Sequence, residues 1–417
     1  MIRKILFIAG LATLSLAAHA QDYVITKYGV KNGDSTKLNT KAIQAVIDRA
    51  AKKGGTVVIP KGTFLSGALF FKPKTKLRLE SGAVLKGSDN IANYPLIPSR
   101  MEGRSQNYYA ALVNAYKVPG FSITGPGTIN GNGAKFWSYF WFYRDSMKRV
   151  GKEATNLEVH RPRLVFIWGS NNVKIKNVKL HNSGFWTTHL YQSNNVVIED
   201  CDIRSPYKPV PAPSTDGVDI DVCKNVTVRN CYISVNDDGV CIKGGKGPTA
   251  HKLPENGIVE NVLVEGCTFG ESHAALTFGS ESIHARNVVM RNCKINSTTP
   301  LFRFKMRPDT YQHFEQITVE NVTGKAGVIF EIAPWKQFFD LGGSTEKPFG
   351  TVNDITIRNI KIECDQVAHI QGNPNDKVSG ITFSNIEATA KKPGIKNVYE
   401  GVKLENVVIN GQPYTLK

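Results

Sequence analysis

The chain has 417 residues, 41% of them hydrophobic, and carries 52 Lys and Arg against 35 Asp and Glu, a formal net charge of +17. Such a balance attracts polyanions, unless the lysines only solubilise a large surface, and the absence of a basic tail or a nucleic-acid motif argues for an acidic polysaccharide over nucleic acid. Seven cysteines without a C-x-x-C pair argue against a metal cluster.

Residues 1–20 read as a cleaved signal peptide. Arg3 and Lys4 precede an apolar run over 5–18 that ends in Ala18-His19-Ala20, a small-x-small cleavage pattern. The run is too short to span a bilayer. No cysteine follows it before Cys201, so no lipid anchor is expected. The working protein is then residues 21–417, exported to the periplasm or beyond.

Asn39-Thr40 followed by Ala42, Ile43, Val46, Ile47 and Ala50 predicts a capped amphipathic helix ending at Gly54-Gly55. A solenoid exposes core at its first rung, and this helix is placed to cover it. Strands expected over 56–60, 69–71, 77–79 and 83–85 begin the winding. Residues 130–163 interrupt the rhythm and carry Phe136, Trp137, Tyr139, Phe140, Trp141, Phe142 and Tyr143. They read either as an element packed outside the solenoid or as the aromatic wall of a sugar site. Shorter insertions at 206–213 and 244–257 offer further walls.

Repetition then dominates. The phrase Asn-Val-x-Val/Ile recurs at Asn172, Asn195, Asn225, Asn261 and Asn287, with looser copies from Gln316, Asp354, Gly380 and Asn406. Six residues further on, one slot is always small and apolar, as Val178, Cys201, Cys231, Cys267, Cys293, Val322, Ile360 and Ile386. Alternating strand residues in this slot predict an internal ladder, hence an all-β chain folded as one right-handed parallel β-helix. The four cysteines are expected as buried thiols.

Within this frame Asp216-Gly217-Val218-Asp219-Ile220 is echoed by Asp238-Gly239-Val240-Cys241-Ile242, 22 residues later. One turn of the coil would stack Asp216 on Asp238, roughly 4.8 Å away, with Asp237 alongside. Three crowded carboxylates imply at least one raised pKa. Counting from the repeat starts puts His273 in the slot of Asp237, and Arg303 and Lys305 in register with Cys241 and Lys243. Phe302, Phe304 and Met306 then point inward. The two cations should lie roughly 10 Å beyond Asp238, two rungs on. Trp186 and His189 are expected at the other end of the groove.

The motifs together resemble glycoside hydrolase family 28, the polygalacturonases and their relatives, over nearly the whole mature length. GGTVVIPKGTFLSG and LRLESGAVLKGS are similar to the family's opening segment, and FWTTHLY, STDGVDI, NDDG, SHAALTFGSE and RFK follow in the family's order. The resemblance implies inverting hydrolysis of α-linked galacturonide, with no metal or organic cofactor, and a monomer is expected. Asp237 would be the general acid, and Asp216 with Asp238 the bases on a water, with room for it between acid and base. His273 would tune the acid's proton, while Arg303 and Lys305 bind the sugar carboxylate. The run 273–281 is closer to exo-acting members. Ser214 stands where the family has Asn, and Ser272 and Ala274 replace the glycines flanking its histidine. Trp335 and Tyr311 are the candidates for the family's downstream tyrosine. A polysaccharide lyase and a polyanion-binding β-helix remain the alternatives.

Overall fold

The computed structural model describes residues 21–32 and 36–416, so the expected leader at 1–20 lies outside the described residues. From Gly55–Ile59 onward the strands of the coil wind as a right-handed parallel β-helix, pairing in parallel with the strand one coil away until Gln412–Pro413 folds back antiparallel on the last of them. Three faces result. One stacks Asn171–Lys176 under Asn194–Glu199 and Lys224–Arg229, and a second stacks Lys179–His181 under Asp202–Arg204 and Tyr232–Ser234. The third stacks Val165–Trp168, Thr188–Tyr191, Val218–Asp221, Asp238–Lys243 and Ala274–Phe278. Its next member is the end of the long strand His284–Met306.

The corners are written into the repeat. The residues that open it, from Asn172 through Gln316, Asp354 and Gly380 to Asn406, all have positive φ, between 53° and 62°. This left-handed conformation is one that asparagine and aspartate tolerate through local hydrogen bonding, and that glycine adopts freely. The asparagines also stack. Asn195 Nδ2 donates to Asn172 Oδ1 at 3.2 Å, Asn261 to Asn225 at 2.9 Å and Asn287 to Asn261 at 2.8 Å. Inside, the expected ladder from Val178 through the four cysteines to Ile386 is buried throughout, and all seven cysteines are buried free thiols.

The predicted cap is the helix α1, Thr40–Lys53, which buries Ile43, Val46, Ile47 and Ala50 against the first coil. Its start differs from expectation. Asn39 makes no side-chain cap, and its amide nitrogen donates to the carbonyls of Lys31 and Lys37. The neighbouring Thr40 hydroxyl accepts from Gly67 N at 2.7 Å and ties the helix to the coil.

Two elements stand outside the solenoid. An antiparallel hairpin of Leu96–Met101 and Arg104–Tyr109 was not legible as such. The helix α2, Ala134–Arg149, occupies the aromatic interruption; it buries Phe136, Trp137 and Phe140. No helix among the described residues is long and apolar enough to cross a membrane.

Candidate active site

A cleft of about 400 Å³ opens on the third face. Its floor is made at the corner where the chain enters Val218–Asp221 and Asp238–Lys243. The two Asp-Gly steps fit this corner by close approach. A Cβ on Gly217 would meet the Gly239 carbonyl at 2.5 Å, and one on Gly239 would meet the Phe269 ring at 2.8 Å. Neither site accepts a larger residue without displacing the backbone that carries the aspartates.

The coil stacks Asp216 beside Asp238 as expected. Donor atoms of Asp216, Asp238 and Cys241 all lie within 4.8 Å of one another, and Cys241 Sγ donates to Asp216 Oδ2 at 3.1 Å. Asp238 pairs in register with Ala274, which puts His273 next to Asp237. His273 Nδ1 lies 3.4 Å from Asp237 Oδ1, with the two side chains 47% and 25% exposed.

The cations depart from expectation. Their backbones sit where counting put them, with Arg303 in register with Thr277 and through it Cys241, and Phe302, Phe304 and Met306 are buried. Yet neither stands apart from the acids. Arg303 Nη2 donates to Asp238 Oδ1 at 2.6 Å and Lys305 Nζ to Asp238 Oδ2 at 2.7 Å. Long side chains cross the rung that separates their backbones, which an estimate from strand spacing overlooks. Both lie against Trp335, whose ring centroid is 5.5 Å from Arg303 Cζ and 4.6 Å from Lys305 Nζ.

Charge is divided unevenly among the three acids. Burial, reinforced by Asp237, pushes Asp216 up to about 7. Burial also acts on Asp238, but Arg303 and Lys305 outweigh it and hold that carboxyl well below its ordinary range. At Asp237 burial is likewise overcome, by the hydrogen bond from His273, and the carboxyl is lowered. His273 is raised in turn, as Asp237 offsets its burial. Each shift favours the charged form of its group, a carboxylate at Asp237 and an imidazolium at His273.

Asp216 carries a measurable consequence. The unfolded chain releases this proton near 3.8 and the folded protein keeps it to about 7. The stability linked to this group is full below the lower value and lost as pH rises through the upper one. Asp216→Asn, which cannot ionise, is expected to gain stability relative to the unsubstituted chain between about pH 4 and pH 8. Denaturant midpoints at several pH values measure it, and a constant difference would contradict it.

Trp186 lines the cleft as predicted, with Lys243 Nζ 4.8 Å from its ring centroid. His189 does not. It is fully buried between Arg163 Nη1, which donates to its Nδ1 at 2.7 Å, and Asp221 Oδ2 at 3.3 Å, and burial lowers its pKa to about 4. Its neighbour Trp186 lies at the strand's entrance, whereas His189 lies within the strand, where the hairpin Leu96–Met101 covers the third face. Tyr311 is likewise away from the cleft, with its hydroxyl on Glu346 at 2.8 Å, so of the two candidates it is Trp335 that lines the site.

Sequence reasoning missed Lys243 and Glu281. Lys243 Nζ reaches Glu281 Oε2 at 3.2 Å and both Asp216 and Asp219 at 3.7 Å. The register that aligned Lys305 with Lys243 was the available signal. It also left α2 unassigned between packing and wall; the helix serves both, since Phe140, Trp141 and Arg144 line the cleft and Trp141 Nε1 donates to Pro211 O at 2.8 Å.

The profile of Glycosyl hydrolases family 28 matches residues 51–406. An exo-poly-alpha-D-galacturonosidase of Dickeya chrysanthemi is 27% identical, over 88% of this chain and 67% of its own. An endo-polygalacturonase of Pectobacterium parmentieri is also 27% identical, over 86% of each chain. In fold, the crystal structure of an exopolygalacturonase from Thermotoga maritima superposes with a TM-score of 0.81 at 23% identity, covering 95% of this chain and 94% of that one. With its β-helix, its clustered aspartates and a family match running almost from end to end, the chain belongs to glycoside hydrolase family 28.

Proposed function

We propose that this glycoside hydrolase is an exported, monomeric exo-acting enzyme that cleaves α-linked galacturonic acid from the end of a pectic chain with inversion. The observation that carries the substrate is the meeting of Arg303 and Lys305 with Asp238 in the cleft. Two cations within reach of one sugar-sized space suit a uronate carboxylate, and a neutral sugar would leave them without a new partner.

In the proposed reaction Asp237 is the general acid. Its proton rests on His273 before substrate arrives, passes to Asp237, and goes to the glycosidic oxygen as the bond to the anomeric carbon breaks. A water adds to that carbon from the opposite face and gives its proton to Asp238 or Asp216. The resting pairing of Asp238 has a function in this scheme. A substrate carboxylate that draws Arg303 and Lys305 away makes Asp238 more basic, so the acidic sugar readies its own base.

Exo action is supported by the run 273–281 and by the insertions that carry Trp141, Arg144 and Pro211 to the lining of the cleft. Digestion of long polygalacturonate is expected to yield monomer or dimer from the first time points, with the anomer opposite to the substrate's by proton NMR. A ladder of mid-sized oligomers would overturn the exo assignment, and an ultraviolet-absorbing unsaturated product would overturn hydrolysis.

A further inference from the structure

On the corner that follows the third face, a second group of side chains converges. His284, His313 and Glu315 each place one donor atom within 4.8 Å of the others. They are brought together by the coil, since His284 pairs in register with His313 and Arg286 with Glu315. Glu315 lies two residues beyond His313 on the same strand face.

The details fit a metal ion better than a hydrogen-bonded trio. The two imidazoles approach the carboxylate from separate sides, His284 Nε2 at 3.6 Å from Oε1 and His313 Nε2 at 3.4 Å from Oε2. His284 Nε2 is a buried atom without a hydrogen-bond partner. His313 has its other nitrogen anchored, because Nδ1 is hydrogen-bonded to Thr351 Oγ1. That hydroxyl donates onward to Gln312 O at 3.4 Å, so it accepts from Nδ1–H and leaves the Nε2 lone pair free. An outer partner that fixes the tautomer in this way is a regular feature of histidine ligands. Arg286, the nearest cation along the strand, is occupied by Glu260, its Nε donating at 2.9 Å.

We propose that His284, His313 and Glu315 form a binding site for a divalent zinc ion, outside the catalytic cleft, with a fourth position open to the groove lined by His251, Tyr311 and Phe349. Two imidazoles and one carboxylate are a ligand set that zinc accepts in tetrahedral geometry. The ion would join two successive rungs directly, and a third through Thr351, and so act as a staple on the C-terminal half of the solenoid.

The test is isothermal titration of the chelator-treated, full-length protein with zinc chloride, with cobalt(II) absorption as a second readout. One equivalent of zinc should bind, with a visible tetrahedral cobalt spectrum and a rise in the melting temperature. His313→Ala and Glu315→Gln should each weaken binding at least about tenfold, and Thr351→Val by about tenfold through the lost tautomer lock. Asp216→Asn should bind as the unsubstituted protein does, which separates this site from the oxygens and thiol of Asp216, Asp238 and Cys241. Binding that survives in both His313→Ala and Glu315→Gln, or that disappears in Asp216→Asn, overturns the proposal, as does a protein that takes up no zinc. None of these readouts depends on hydrolysis.

Discussion

Asp237→Asn is expected to lower kcat on a galacturonide by about 10²–10⁴-fold, the range for losing a positioned general acid, with KM changed little. Asparagine keeps the shape of the carboxyl but cannot deliver a proton, while Arg303, Lys305 and Trp335 still hold the sugar. His273→Ala should lower kcat less, and should change its pH dependence, because it removes the group that holds the resting proton 3.4 Å from Asp237. Steady-state kinetics across pH on a defined trisaccharide measures all of these. The competing assignment is specific. Asp216 is the carboxyl whose pKa is pushed up to about 7, by burial and then by Asp237, so it carries its own proton under mild conditions. Should Asp237→Asn retain most of its activity while Asp216→Asn loses it, the acid and base roles proposed above are exchanged.

The largest expected loss of stability lies away from the cleft. Arg100 Nε donates to Asp221 Oδ2 at 2.9 Å and Nη2 to Oδ1 at 3.3 Å, with both side chains fully buried. His189 shares the same carboxylate, and Arg163 Nη1 donates to both His189 and the Arg100 carbonyl. Asp221→Ala would leave Arg100 charged and unpaired in the interior, a defect that costs about 3–5 kcal/mol. Denaturant unfolding measures it, and hydrogen exchange should locate the loss in the hairpin of Leu96–Met101 and Arg104–Tyr109, which Arg100 fastens to the third face. Replacing both partners together, as Arg100→Met with Asp221→Leu, should restore part of the stability, since the charge of Arg100 is removed with its partner, while buried Arg163 still loses the support of Asp221. A loss below about 1 kcal/mol for Asp221→Ala would mean that water reaches Arg100 and that the hairpin is held by packing alone.

The way the repeat could be read, and where reading stopped, follow from the range of the forces involved. Asn172 and its later copies set corners through their own φ, a property of one residue and its neighbours, so the coil could be counted from sequence. Counting then put Asp216, Asp237, Asp238 and His273 on one edge, because in a parallel coil the vertical neighbour of a residue is found by register. His189 obeys the same register and yet lies buried, since what covers it is a hairpin that no repeat announces. Arg100 and Asp221 meet across 121 residues of chain, and nothing near either residue marks the other as its partner.

By itself the sequence determined the solenoid, its inward ladder of small apolar residues and the edge on which the acids gather, all of which depend on alternation and on local backbone angles. Tertiary structure alone decided that Arg303 and Lys305 rest on Asp238, that Asp216 and Asp238 differ in charge although they occupy equivalent slots, and that α2 is both a packed helix and a cleft wall. Those outcomes depend on the reach of long side chains and on exclusion of water from particular carboxyls, which are set by the surroundings in three dimensions and not by position along the chain.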